Sequence, residues 1–174
     1  MLRAFSLLLC VGLLSLAINS ETSEPSKNNH GISGLINLPN AYFADAGNAS
    51  MTIFRGEPDR KYSFTFSPTN WMEGGFYYSD ITGKEYGGGY EQSYKDKGFN
   101  VKFKLKDQGM FPALAIGLND FAGTGIYSSE YIVSSYKYNN FDFTLGFGWG
   151  NLAGSATFTN PFTQISDKFL DRQT

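Results

Sequence analysis

Cysteine and histidine are almost absent from this sequence. The single cysteine is Cys10 and the single histidine is His30. Disulfides need two cysteines, while zinc sites and Ser-His-Asp relays need thiolate or imidazole groups held by packed partners. The sequence therefore predicts no disulfide, metal site, cofactor or catalytic residue, and His30 lies in a polar stretch that offers it no packed partner.

Long apolar runs are also scarce, and the only one stands at the N-terminus. Arg3 precedes an apolar run over residues 4–16, and small residues follow it. This order is typical of a secretory signal peptide, and the run is shorter than the roughly 20 residues of a membrane-spanning helix. We therefore predict an exported protein with a signal peptide at 1–20.

Two further features concern a lipid anchor and the stretch that follows the signal peptide. Lipoprotein signals have a small residue before the modified cysteine, but Leu9 precedes Cys10, which argues against a lipid anchor. Residues 21–31 are polar and contain Pro25, which is typical of a flexible linker.

An excess of positive charge is absent as well. The chain has 14 Lys and Arg against 16 Asp and Glu, a net charge of −2, and the basic residues form no stripe. Nucleic-acid binding needs clustered Lys and Arg to neutralise phosphates. Gly87-Gly-Gly89 lacks the Gly-Lys-Ser/Thr ending of a phosphate-binding loop. The sequence therefore predicts no nucleic-acid partner.

Glycine and aromatic residues, in contrast, are abundant. The chain has 20 Gly, 16 Phe and 11 Tyr, a composition that favours short strands joined by tight turns. Apolar residues recur at every second position, the period of a β-strand, in seven segments. Four of them are clear, 62–67, 99–106, 113–119 and 141–149, and three are weaker, 49–55, 71–79 and 128–138.

The connections between these segments alternate in length. Longer ones at 56–60, 80–97 and 120–127 alternate with shorter ones at 68–70, 107–111 and 139–140. Up-and-down strands that cross a bilayer show this asymmetry, and Asn139-Asn140 suits a two-residue type I′ hairpin. The sequence therefore predicts an all-β fold, an antiparallel up-and-down meander that forms a partial or complete outer-membrane β-barrel.

The residues that alternate with the apolar positions bear on the choice between membrane and water. They are mostly Gly, Ala, Ser and Thr, which suit a narrow lumen, and aromatic residues near segment ends fit interfacial girdles. These aromatic residues are Tyr62, Trp71, Tyr78, Tyr138 and Trp149. Since soluble sandwiches also have one apolar face, a soluble periplasmic β-barrel or sandwich that binds a small ligand or a protein partner is the alternative.

Residues with the chemistry of sugar contacts fall in two connections. Tyr86, Tyr90 and Tyr94 can stack on sugar rings. Asp120 and Glu130 flank a Gly-Thr-Gly turn and, if brought together, would resemble the carboxylate pair of a glycosidase. Alternatively, Asp120 starts a turn and Glu130 faces the lumen or loop water. We predict glycan contacts at these five residues and no enzymatic activity, with a carbohydrate-active enzyme as the third and weakest class.

Three stretches resemble the YjbH-like family of outer-membrane proteins associated with exopolysaccharide or capsule export. They are Gly34-Leu-Ile-Asn-Leu-Pro-Asn-Ala41, Pro68 through Trp71-Met-Glu73, and the run from Gln92 through the 123–131 stretch to Gly150. The resemblance implies a β-barrel in the outer membrane, with outer-membrane lipid, a polysaccharide and other export proteins as partners. Because family members continue with many more strands, it also implies that 32–174 is the N-terminal part of a longer barrel. Either the barrel is truncated here or its remaining strands come from another chain.

Overall fold

The computed structural model describes residues 24–87, 91–153 and 159–170, so the predicted signal peptide at 1–20 lies outside the described part. Within these residues the chain forms nine β-strands and two 3-10 helices. Of the helices described, none has the length and apolar character needed to cross a membrane.

Seven of the strands form one antiparallel sheet in which every strand pairs with its neighbour in sequence. The seven predicted strands and their meander order are therefore confirmed. Among the described residues the two outermost strands do not pair with each other, so the sheet is not closed into a complete barrel. The strands are β3 (Asn48–Arg55), β4 (Asp59–Thr69), β5 (Met72–Glu85), β6 (Ser93–Lys106), β7 (Ala113–Asn119), β8 (Ser129–Tyr138) and β9 (Phe141–Gly150).

The connections lie at two opposite ends of the sheet. The ends are here called the turn end, with connections 70–71, 107–112 and 139–140, and the loop end, with 56–58, 86–92 and 120–128. The predicted 80–97 connection is shorter because β5 and β6 extend into it. Asp80 pairs with Lys95 across these strands, and their side chains form an ion pair at 2.7 Å. Such polar pairs carry no hydrophobic period, so the sequence pattern did not reveal this extension.

The predicted hairpin between β8 and β9 is confirmed, with Tyr138 opposite Phe141. Asn139 has a φ of 53°, whereas Asn140 has no positive φ. A type I′ turn requires positive φ at both central residues, so this part of the prediction was wrong, and the turn has the first-position requirement of type II′.

One face of the sheet, here called the open face, carries exposed apolar side chains. Met51, Phe64, Phe76 and Phe99 are register partners across β3 to β6 and form a continuous apolar row. Toward the other edge, Leu145 is 75% exposed. Four of the five aromatic residues expected at girdle positions are exposed near the ends, with Tyr62 opposite Tyr78 toward the loop end and Trp71 and Tyr138 at the turn end. The fifth, Trp149, is buried, so its prediction as a girdle residue was wrong.

The opposite face, here called the covered face, is polar and closely packed. Its residues alternate with those of the open face and are mostly small. The buried polar members include Ser63, Thr65, Ser67, Glu73, Ser79, Asp96, Asn100, Lys102, Asn119 and Ser135. A soluble sheet protein has the reverse order, with the apolar face buried and the polar face in water.

Residues 24–44, here called the N-terminal segment, pack against the covered face. They include the two short strands β1 (Gly34–Leu35) and β2 (Leu38–Pro39), which the sequence did not predict. The part of the predicted linker that is described, 24–31, belongs to this segment: Lys27 forms a β-bridge with Ser33, and Asn28 is buried. Its polar sequence is matched by the polar face that it contacts.

The last described residues, 159–170, form two 3-10 helices, Pro161–Gln164 and Asp167–Phe169. Phe162 of the first helix contacts Trp149 of β9 at 6.1 Å between ring centroids. This segment therefore covers one corner of the sheet at the loop end.

Candidate functional site

A buried carboxylate and a buried ammonium group stand opposite each other at the centre of the covered face. Glu73 of β5 and Lys102 of β6 are register partners and both side chains are fully buried. Lys102 Nζ lies 3.6 Å from Glu73 Oε1, and Lys27 of the N-terminal segment binds Glu73 Oε2 at 2.8 Å. Charges removed from water in this way need several partners, and here the segment supplies them.

The same two side chains hold the main chain of the N-terminal segment. Glu73 accepts hydrogen bonds from the backbone N–H and the hydroxyl of Ser33, both at 2.6 Å. Lys102 Nζ donates to the backbone oxygen of Tyr42 at 2.7 Å, and lies 3.3 Å from that of Ser33 and 3.5 Å from that of Asn40. One acid and one base on the sheet therefore fix both halves of the segment.

Other strands bind the segment through neutral side chains. Thr65 of β4 donates to the backbone oxygen of Gly31, and Asn100 of β6 donates to that of His30 at 3.0 Å. Ser135 of β8 accepts from the backbone N–H of Ala41 at 2.9 Å. Main-chain groups, rather than side chains, are thus the principal groups recognised.

A small apolar cluster completes this packing. Ile32 and Ala41 of the segment are buried against Ala113 and Ala115 of β7 and Tyr131 of β8. The apolar contact is confined to one part of the covered face, and the rest of the segment is held by polar groups.

Two polar cavities lie beside the segment, toward opposite ends of the sheet. The turn-end cavity, of about 460 Å³, is lined by Ser26, Asn40 and Tyr42 of the segment and by Lys137 and Asp142 of the sheet. The loop-end cavity, of about 270 Å³, is lined by Asn29, His30, Glu57, Asp59, Lys61 and Tyr127. The segment separates these two cavities.

His30 is held neutral at the loop-end cavity. Its ring meets that of Tyr127 edge to face at 6.0 Å between centroids, so the expectation that this stretch offers His30 no packed partner was wrong. Burial, and then the charge of Lys61, lower the pKa of His30 to about 3. An imidazole in this state does not carry charge at neutral pH.

Asp120 closes the 120–128 loop. Its backbone N–H donates to Asn100 Oδ1 at 3.0 Å, and its Oδ2 accepts from the Tyr127 backbone N–H at 3.2 Å. Burial raises the pKa of the Asp120 carboxyl above its usual range. The Tyr127 N–H partly offsets this, and the nearby Asp96 carboxylate acts in the same direction as burial.

Glu130 lies on a different face from the one that Asp120 packs against. Its register partners are Leu118 and Trp149, which places it on the open face, and it accepts a hydrogen bond from Asn160 Nδ2 at 2.8 Å. Asp120 instead lies beside Gly98 and Gly123, where any added Cβ would collide with its Oδ1. The structure therefore does not bring these two carboxylates together.

The predicted tyrosine contacts lie at the loop end. Tyr86 and Tyr94 stack at 5.1 Å between centroids with 23° between ring planes, and Lys84 Nζ lies 4.8 Å from the Tyr94 ring centroid. Tyr86 is exposed. Tyr90 lies outside the described residues. The Tyr86–Tyr94 pair therefore offers an aromatic surface at the loop end of the sheet.

Sequence reasoning missed the residues at the centre of this site. No role was predicted for Glu73, Lys102 or Lys27, although Glu73 and Lys102 are charged residues on a face built largely from small residues. That contrast was the available signal. As for metal ions, no group of three or more His, Cys, Asp or Glu side chains capable of holding one occurs in the described part of the chain.

These features define an all-β antiparallel meander whose polar face is covered by the N-terminal segment and whose apolar face is exposed. The chain belongs to the YjbH family, described as exopolysaccharide biosynthesis protein YbjH, whose family model matches residues 26–174. The resemblance found in the sequence is thereby confirmed.

A curated relative supports the same family. The chain is 35% identical over 153 residues to the uncharacterized lipoprotein YjbH of Escherichia coli (strain K12). The match covers 85% of this chain and 22% of the relative, so the chain spans about a fifth of that protein's length. No solved structure matches the chain.

Proposed function

We propose that this chain is part of the wall of an outer-membrane β-barrel that serves exopolysaccharide or capsule production and export, without enzymatic activity. The observation that supports this proposal is that the apolar face of the sheet is exposed and the polar face is buried, the reverse of a soluble sheet protein. Exposed apolar rows cover the open face, whereas the Glu73–Lys102 ion pair and many hydroxyl groups of the covered face are buried. Soluble monomers rarely expose contiguous apolar patches beyond a few hundred Å².

Strand dimensions agree with a bilayer crossing. The ten residues of β9 extend about 33 Å at roughly 3.3 Å per residue, or about 23 Å along the membrane normal at a tilt near 45°. This is close to the apolar band of about 25 Å in such barrels. Hydrocarbon chains would then cover the open face, and the unpaired edges of β3 and β9 would continue into further strands.

The polysaccharide role rests on the family description and on the polar interior. The relative's designation as a lipoprotein also supports an exported, membrane-associated protein. The Tyr86–Tyr94 pair is the proposed sugar contact at the loop end, because stacked aromatic faces suit sugar rings.

Cell fractionation tests the membrane assignment. The chromosomal gene is tagged and the outer-membrane fraction is run on gels with and without heating. We expect recovery in the outer membrane with a heat-dependent shift in mobility. Recovery in the soluble periplasm would instead favour the ligand-binding alternative, for which the apolar groove of about 280 Å³ between Leu38, Tyr131 and Phe147 is the candidate site.

Deletion of the gene tests the polysaccharide role separately. We expect the amount of secreted exopolysaccharide, measured as cell-free carbohydrate, to fall in the deletion strain and to recover with a plasmid copy. Unchanged secretion would overturn this role even if the protein is found in the outer membrane.

A further inference from the structure

The N-terminal segment occupies a surface whose chemistry suits another ligand. The sheet holds the segment through its main chain: Lys102, Asn100 and Thr65 donate to its carbonyl groups, while Glu73 and Ser135 accept from its N–H groups. A face that recognises backbone amides does so through alternating donors and acceptors. Sugar hydroxyl groups, which both donate and accept, satisfy the same side chains.

The two polar cavities beside the segment lie toward opposite ends of the strands. One lies at the turn end beside Asp142 and Lys137, and the other at the loop end beside Asp59 and Tyr127. Both are lined partly by the segment itself. Withdrawal of the segment would join them into one polar groove along the strands.

We propose that the N-terminal segment is a displaceable plug on the binding surface of a linear polyhydroxylated polymer, a glycan chain, which competes with it for Glu73, Lys102, Asn100 and Thr65. This inference rests on the proposed function and names the site at which that function is carried out. The glycan replaces the backbone groups of the segment, and Glu73 and Lys102 remain paired with each other on the wall.

The balance of contacts agrees with displacement. The ion pair between Lys27 and Glu73 and the hydrogen bonds to Ser33 are polar, and a polar polymer with bound water can replace them. The buried apolar contribution of the segment is limited to a few side chains, chiefly Ile32 and Ala41. The segment is therefore held mainly by polar contacts, which another polar ligand can also make.

A reversible crosslink tests this in cells. A Cβ added at Gly75 lies 3.7 Å from Ile32 Cγ2 and has no neighbour closer than 3.6 Å, so the Ile32→Cys/Gly75→Cys variant places two thiols side by side for a crosslink between segment and sheet. The only native cysteine, Cys10, lies in the predicted signal peptide. The variant is placed in the chromosomal gene, so that the protein is tested as the cell makes it.

We expect secreted exopolysaccharide to fall to the level of the gene deletion when the disulfide is formed, and to return when a reductant is added. Each single-cysteine variant should show no dependence on the reductant. Heat-dependent gel mobility of the locked protein shows that it is folded. Normal secretion by a fully crosslinked, folded protein would overturn the plug, whereas a gene deletion without effect would overturn the proposed function and the plug with it.

Competition for the surface is tested on the purified protein. Ile32 is completely buried, so the thiol of Ile32→Cys is expected to react slowly with a membrane-impermeant maleimide. The probe is the polysaccharide that the wild-type cells secrete. We expect it to raise the labelling rate at least threefold, and Glu73→Gln to raise the rate without polysaccharide. If neither the polysaccharide nor Glu73→Gln changes the labelling rate, the inference is overturned.

Discussion

At the scale of single residues, Glu73 shows how one carboxylate connects the sheet to the segment above it. It contacts Lys27, Ser33 and Lys102 and is completely buried. Removal of one partner from a buried ion pair leaves the other charge uncompensated, which typically costs about 3–5 kcal/mol.

Glu73→Ala is therefore expected to lower the free energy of unfolding by about 3–5 kcal/mol, because Lys102 and Lys27 lose their shared counter-charge. Urea unfolding of the purified chain in detergent micelles, followed by tryptophan fluorescence, measures this loss.

The control is Asp107→Asn. The Lys104–Asp107 pair has a comparable distance, 2.8 Å, but its carboxylate is 80% exposed, so the expected loss is below about 1 kcal/mol. Equal losses in the two variants would contradict the central role of Glu73.

The single histidine allows a direct test of burial at the loop end. The pKa of His30 is about 3 in the folded protein, against an ordinary value of 6.5, so the ring stays neutral when folded and gains a proton in the unfolded chain below pH 6.5. The contribution of neutral His30 to folding stability is therefore fully present above pH 6.5 and is lost as the pH falls from 6.5 toward 3.

We expect the one imidazole signal in a ¹³C-histidine NMR spectrum to remain that of the neutral ring down to pH 5. The urea-unfolded chain is the control and should titrate near 6.5. A folded-state titration midpoint above 6 would show that the ring is solvated and that the segment does not pack as described.

At the scale of elements, the β8–β9 hairpin depends on the backbone of one asparagine. Asn139 adopts a φ of 53°, a left-handed conformation that asparagine tolerates and β-branched residues do not. Asn139→Val is expected to destabilise the protein by about 1–2 kcal/mol because of this strain. Asn140 has no positive φ, so Asn140→Val should lower the free energy of unfolding by less in the same urea measurement. The reverse order would contradict the assigned turn.

Elements with a regular apolar alternation could be predicted, and those without it could not. Segments such as Phe141–Gly150 show bulky residues at every second position. This period of two residues predicts a strand without any tertiary information. The extension of β5 and β6 past Asp80 and Lys95, and the short strands β1 and β2, consist of polar, glycine and isolated apolar residues. β1 and β2 pair with each other, and the extended part of β5 pairs with β6, so backbone pairing without an apolar period decides these elements.

At the scale of the whole molecule, the open face distinguishes membrane from water. Leu145 is 75% exposed in the middle of β9. If lipid covers this face, Leu145→Arg is expected to cost about 2–4 kcal/mol near the midplane and to reduce the folded, heat-modifiable form in the outer membrane. If water covers it, a surface substitution should change stability by no more than about 0.5 kcal/mol.

Leu145→Val is the matched control, because it keeps an apolar side chain on the same surface. Gel mobility and outer-membrane recovery of both variants are compared with those of the original chain. Equal recovery of the arginine and valine variants would contradict the membrane assignment.

The candidate site was only partly predictable. Tyr86 and Tyr94 were identified as aromatic residues in one connection, and their stacking gives that prediction a geometry without testing glycan contact. Glu73 and Lys102 lie far apart in sequence, on different strands, and only the register of β5 against β6 places them opposite each other. Asp120 and Glu130 are closer in sequence, yet strand alternation directs Glu130 to the open face.

The sequence by itself determined the strand number of the large sheet, its meander order and the apolar character of one face, because these follow from local alternation and short connections. The tertiary structure alone decided that a polar N-terminal segment fills the other face, since this depends on Lys27 and Ser33 meeting Glu73 across 46 and 40 residues of chain. Hydrogen-bond complementarity between such distant groups leaves no periodic pattern, so it becomes visible only when the strands are assembled.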